Sequence, residues 1–270
     1  MKIIDSKVEP LIQTEGLRGI YKQIELCGRT CYKSEDNITE DSCERFVKAM
    51  IKNNHTAMLE HGTVYLTIPD SISQSPIRYA NNPYSRVKFD RDAEGKYCYF
   101  ITTNYRVLVQ NNWLDDLTYL TEPTGMHVKR YCFRIICDRG ISHEIVRHRK
   151  MSFAQESTRY CNYNKDKFGN ELTFIKPAQW EIKSPSYHTA LSAFIDYLND
   201  VEEKFFYLSQ WLKPQEVRAI LPNALKTEIC VTGFEDDWEH FLDLRYKGTT
   251  GKPHPDMYVV AKQINDIIHG

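Results

Sequence analysis

The sequence predicts an α+β fold: a mixed or antiparallel sheet packed with several helices, and a helical C-terminal third. Three observations carry this. Short aromatic and β-branched runs bounded by turn residues fall in the first two-thirds of the chain. Longer runs with apolar residues at i, i+3 and i+4 dominate the last third. No Gly-x-Gly-x-x-Gly turn and no Walker-type loop marks a parallel nucleotide-binding sheet.

In chain order, Asp41 to Asn53 reads as a helix, because Cys43, Phe46, Val47, Met50 and Ile51 share one face. Thr63 to Ile68 reads as a strand, ended by Pro69 and a polar, proline-containing stretch running to Pro83. Lys96 to Thr103 and Lys129 to Cys137 read as further strands. Asp138-Arg139-Gly140 reads as a turn, and Ile141 to about Lys150 as a short helix. Tyr187 to Leu212 is the clearest helix: Leu191, Phe194, Leu198, Val201, Phe205 and Leu208 recur at helical spacing, with Ser184-Pro185 before it and Lys213-Pro214 after it. Gln215 to Ala219, Asp237 to Arg245 and Pro255 to Ile268 complete the expected helices.

The 270 residues are 41% hydrophobic and 26% charged, with a formal net charge of -1. That length suits one domain, expected over residues 1–270. No apolar run reaches the roughly 18 residues of a membrane span, and the first residues carry no signal-peptide core. A cytoplasmic protein is expected, with no membrane and no stable nucleic-acid partner, since a nucleic-acid binder usually carries a strongly basic domain. The eight cysteines are scattered without a C-x-x-C pair, so no metal site is expected and the thiols read as reduced and structural. His143 and His148 sit five apart, which a regular helix cannot bring to one metal.

The segment Arg147 to Tyr160 carries the chemistry. Arg147, His148, Arg149 and Lys150 stand together, followed by Ser152, Ser157, Thr158, Arg159 and Tyr160. Arginine forks grip phosphate bidentately and hydroxyls complete the oxygen shell. Two cationic groups flanking a short polar loop suit two anionic ligands side by side, such as a phosphorylated cofactor and a phosphorylated substrate. Charge alone fits a solvated basic helix end equally well. Ser157 lacks a base and orienter in sequence and reads as a phosphate-binding hydroxyl. Cys161 has nothing around it that marks an activated thiol.

Arg147-His148-Arg149, seven residues, then Ser157 resembles the signature of flavin-dependent thymidylate synthases, and Ser152 and Arg159-Tyr160 match its flanks. Four other segments agree in order. His55 to His61 resembles the family's His-x-x-x-x-Glu-His element. Glu144 stands where the family often has glutamine. Arg218 to Pro222 resembles Arg-x-x-Leu-Pro, and Phe241 to Arg245 resembles Phe-Leu-x-Leu-Arg. Ala154-Gln155 replaces the usual Asn-Glu, His240 a usual asparagine, and Pro255-Asp256 an Ala-Gln pair. Residues 68–128 fall outside the resemblance and read as an insertion.

The resemblance implies an enzyme that methylates dUMP to dTMP, with FAD, NADPH as reductant and methylenetetrahydrofolate as carbon donor. It implies that His55, Glu60, Arg147, His148, Arg149 and His240 bind the flavin side. Glu144, Gln155, Glu156, Ser157, Thr158, Arg159, Arg218 and Arg245 are implied at the substrate, with Arg245 and Ser157 catalytic. It further implies a homotetramer with sites shared between subunits. Two other outcomes stay open: a related flavin-dependent pyrimidine-nucleotide hydroxymethylase, and a non-catalytic nucleotide- or RNA-binding module.

Overall fold

Arg130–Asp138 and Lys226–Phe234 are both rich in β-branched, aromatic and small apolar residues, and they pair antiparallel from Arg130 opposite Phe234 to Asp138 opposite Lys226. This pair is the spine of the molecule. The computed structural model describes residues 1–72, 75–159, 163, 169–180 and 185–270.

The elements in order are β1 (Lys2–Ile4), β2 (Lys7–Pro10), α1 (Gly16–Thr30), α2 (Ser42–Lys52), β3 (Thr63–Pro69), α3 (Ser75–Ala80), β4 (Arg86–Arg91), β5 (Tyr97–Asn104) and α4 (Tyr105–Asn111). Then come β6 (Arg130–Asp138), α5 (Arg139–Ile145), β7 (Ser152–Gln155), β8 (Thr173–Ile175), α6 (Pro185–Leu208), α7 (Pro214–Val217), β9 (Lys226–Phe234), α8 (Glu235–Arg245) and α9 (Pro255–His269). Short 3-10 turns join several of them, among them Thr56–His61. The fold is α+β. An antiparallel sheet runs β2-β6-β9-β7, a second runs β3-β5-β4, and β1 pairs parallel with β8.

Each sheet buries its own core. Phe133, Ile135, Ile229 and Val231 pack with Trp238, Phe241 and Leu242 of α8 and Met257, Val260 and Ile264 of α9. Val64, Leu66, Ile68 and Ile101 pack with Ile20 and Ile24 of α1, Val47 of α2 and Leu108 of α4. Phe174 and Leu225 pack with Leu198, Val201 and Phe205 of α6. A small cluster of Cys27, Cys132, Ala154 and Cys230 lies between α1 and the four-stranded sheet.

The expected helices and strands are present, with shifted ends. The turn expected at Asp138 to Gly140 is the start of α5: Asp138 Oδ1 accepts from Ile141 N at 2.8 Å, so the aspartate caps a helix beginning at Arg139. That helix stops at Ile145, not near Lys150, because the chain must cross to β7, whose Ser152 stands opposite Thr232. α6 ends at Leu208, four residues before the expected stop, and α7 spans Pro214–Val217 with a 3-10 turn over Arg218–Ile220. Within the helical last third runs β9, which periodicity does not reveal: Thr227 to Phe234 are all buried, so no alternation of polar and apolar faces marks it. In the segment 68–128 the chain forms β4, β5, α3 and α4, which build the second sheet onto β3. Among the described residues no helix is long and apolar enough to cross a membrane.

Candidate active site

The C-terminal end of α5, the turn after it, and the outer face of α8 enclose a cavity of about 1140 Å³. The turn is built locally: Arg147 N donates to Glu144 O at 3.3 Å, His148 N to Ile145 O at 3.1 Å, and Met151 N to His148 O at 3.0 Å. This throws Arg147, Arg149 and Lys150 outward into solvent and holds His148 half-buried against α8. α8 is set by its buried face: Trp238, Phe241 and Leu242 enter the core, which leaves His240, Leu244 and Arg245 on the cavity side.

Three side chains interlock at the base. Arg245 donates from Nη1 to Glu144 Oε2 at 2.7 Å and from Nε to His148 Nε2 at 3.3 Å. The His148 ring lies 4.8 Å from the Phe241 ring and 6.2 Å from His240. Burial, then the charges of Arg245, His240 and Arg147, push the His148 imidazole down to about 4. At neutral pH it is therefore uncharged, with Nε2 as acceptor and the proton on Nδ1.

The sequence expectations for Glu144, Arg147, His148, Arg149, His240 and Arg245 thus converge on one cavity from positions up to a hundred residues apart. Among the titratable side chains of the cavity, Asp236, Asp237, Lys252 and His254 lay outside those expectations. The signal for the last two was present in Gly248 to Pro255, a loop with left-handed backbone at Gly248 (φ 69°) that carries a lysine and a histidine beside prolines. Burial, then Asp236, raises the Asp237 carboxyl.

The remaining expected residues sit elsewhere on this chain. Ser157 N donates to Cys31 O at 3.0 Å, and Ser157 Oγ accepts from Arg159 N at 3.3 Å in a tight turn. Arg159 is exposed and Thr158 buried. Gln155 donates to Ser142 Oγ at 2.8 Å and to Thr227 Oγ1 at 3.2 Å. Glu156 is buried and accepts from Lys226 Nζ at 3.0 Å and from Tyr163 Oη at 3.2 Å. Lys226 also reaches Glu228 at 2.5 Å, as does Lys33. Burial works against ionisation of Glu228, but the two lysines prevail and draw it down to about 2. This inner ion network holds the loop that presents Ser157 and Arg159. Glu60 is engaged by Arg106, His55 is exposed at the start of the 3-10 turn, and Arg218 is exposed at the end of α7. None of these lines the large cavity. Tyr160 and Cys161 lie outside the described residues.

The family model described as thymidylate synthase complementing protein matches residues 93–269. The chain is 33% identical over 113 residues to a flavin-dependent thymidylate synthase of Corynebacterium glutamicum, covering 40% of this chain and 45% of that protein. It is 32% identical over 109 residues to one of Thermococcus onnurineus, covering 40% and 42%. The match thus spans less than half the length of these curated relatives. A crystal structure of the UMP/dUMP methylase PolB from Streptomyces cacaoi bound with 5-Br UMP aligns over 99% of this chain and 90% of that one at 12% identity and a TM-score of 0.48, too slight a likeness to bear on function. The family match covers the end of α5, the cationic turn, α8 and the loop into α9, which line the cavity, and the chain belongs to the thymidylate synthase complementing protein family.

Proposed function

We propose that this chain is a flavin-dependent thymidylate synthase that converts dUMP to dTMP, with methylenetetrahydrofolate as carbon donor and NADPH as reductant. The observation that carries the reading is the convergence of Arg147, His148, Arg149, His240, Arg245 and Glu144 on one cavity, in a chain of this family.

The cavity suits FAD in chemistry and size: its volume is generous for a dinucleotide-sized ligand, and Arg147, Arg149, Lys150 and Lys252 supply donors for a pyrophosphate. FAD, when bound, supplies the hydride and one-carbon chemistry that side chains cannot. Arg147 and Arg149 would hold its phosphates. His148, neutral, would offer hydrogen bonding without adding positive charge. Arg245, already fixed by Glu144 and His148, would face the pyrimidine carbonyls and stabilise the negative charge that builds when carbon 5 is activated. Ser157 and Arg159 would grip the dUMP phosphate, with Arg218, His55 and Glu60 completing the nucleotide and flavin sides. Those five sit away from the cavity on a single chain, which supports a homotetramer in which each site draws residues from more than one subunit. The chain as a whole, 68–128 included, would then act as one domain, cytoplasmic, on a free nucleotide.

The test is direct. The purified protein should show visible flavin absorbance that bleaches on anaerobic addition of NADPH with dUMP. Added methylenetetrahydrofolate should yield a nucleotide of dTMP mass. A hydroxymethylated product would redirect the reading to the sister reaction. A colourless protein that takes up no added FAD would overturn it.

A further inference from the structure

A second constellation lies apart from the cationic cavity. Cys27 on α1, Cys132 on β6 and His61 at the end of the Thr56–His61 turn each bring one ligand atom into a group in which all atoms lie within 4.8 Å of one another. The two sulfurs are 3.8 Å apart. Cys27 and His61 have no exposed surface, and Cys132 has 8%. The spacing along the sequence, 27, 61 and 132, resembles no zinc motif, and only the packing of α1 against the sheet joins the three.

Two features suit this group to a metal ion. A zinc-class ion holds thiolate sulfur at about 2.3 Å in a tetrahedral shell, which sets the sulfurs roughly 3.8 Å apart, too far for a disulfide and right for a shared ion. The histidine also carries an unmet polar atom. Its Nδ1 lies 2.8 Å from Thr232 Oγ1, while Nε2 is fully buried with no hydrogen-bond partner among the described residues. A metal-bound imidazole has one ring nitrogen on the ion and the other fixed by an outer hydrogen-bond partner; here the Thr232 hydroxyl takes that second place.

Access is present too. A separate cavity of about 550 Å³, bounded by β2, the Leu120–Gly125 segment and the start of β6, includes His61 and Cys132 in its wall. An ion could reach the group through it.

We propose that Cys27, His61 and Cys132 bind one zinc-class divalent cation, with water from the cavity as the fourth ligand. Each thiol releases its proton to solvent as its sulfur–metal bond forms. Two thiolates and one divalent ion sum to a neutral group, which an apolar interior tolerates far better than a lone charge. The ion ties α1 and the turn leading to β3 onto β6, across the seam between the two sheets. This site is independent of the flavin reading.

The experiment is a cobalt titration of the full chain, reduced and freed of metal by a chelator, under anaerobic conditions, read as difference spectra against the metal-free sample. One equivalent of Co²⁺ should give a thiolate-to-metal charge-transfer band and strong visible bands of a tetrahedral site, both removed by one equivalent of Zn²⁺. Cys132→Ser should weaken binding at least 10-fold, on the scale set by outer-shell changes alone, and His61→Gln should do likewise. Cys43→Ser, a buried cysteine on α2 outside the group, should leave the titration unchanged. Absence of the charge-transfer band in the unaltered protein would overturn the site, whatever the variants do. So would the same band persisting in the Cys27→Ser, Cys132→Ser double variant.

Discussion

Arg245 donates its Nε hydrogen to Nε2 of His148 across 3.3 Å, so a guanidinium fixes the tautomer of a half-buried imidazole that burial first, and this charge second, keep uncharged. Protonating His148 would set two cations against each other over Phe241. The free imidazole titrates near 6.5 and the folded one near 4, so between these values the unfolded chain binds more protons. Stability should therefore fall as pH drops from about 6.5 to about 4 and lose its dependence on this group below that. Urea midpoints measured across that range should show the decline, and His148→Gln should flatten it.

Arg245→Gln should separate catalysis from folding. The Arg245–Glu144 pair is partly exposed, so its loss should cost no more than about 1 kcal/mol of stability. If Arg245 meets charge developing on the pyrimidine, kcat should fall about 100-fold or more. Equal kcat in the variant and the parent would remove Arg245 from that role.

Arg159 is exposed on the turn held by Ser157. As a phosphate ligand it would contribute a charge-assisted pair worth roughly 1.5–3 kcal/mol. Arg159→Ala should then raise the dUMP KM about 10- to 100-fold while leaving bound flavin in place, as steady-state kinetics and absorbance will show.

Glu228 sits between Lys226 and Lys33 at 2.5 Å from each. Its carboxyl titrates near 2 in the fold against 4.5 when free, so its stabilising share is complete above pH 4.5 and is lost as pH falls towards 2. Glu228→Gln should cost about 1–3 kcal/mol at neutral pH, at the lower end because Lys226 keeps Glu156. Chemical denaturation of the two proteins at pH 7 and at pH 3 should show the difference shrinking with acid.

Gly62 follows His61 where the turn meets α1. A Cβ there would stand 2.7 Å from both Ile20 Cγ2 and Ile24 Cδ1, inside the packing distance of two fully buried side chains. Gly62→Ala should destabilise by about 1–3 kcal/mol through overpacking. A thermal midpoint equal to that of the parent would mean α1 can shift without cost.

The sequence by itself determined the α+β class, the helices with a clear apolar stripe, and the cluster Arg147 to Lys150, because these are local: periodicity and charge are written in neighbouring residues. It did not single out α1, although Leu17, Ile20, Ile24 and Cys27 share one face, because Gly19 and Gly28 lower its helix propensity; the close approach of Gly28 to Phe46 of α2 shows packing overriding that. Nor did it reveal β9, buried along nearly its whole length. The resemblance named Arg245 and His148 separately, and only the fold shows that one holds the other's tautomer. The meeting of Cys27, His61 and Cys132 was likewise beyond the sequence. Such contacts depend on how α1, β6 and α8 close over shared apolar faces, and burial of those faces acts across any separation along the chain, which spacing in a sequence does not record.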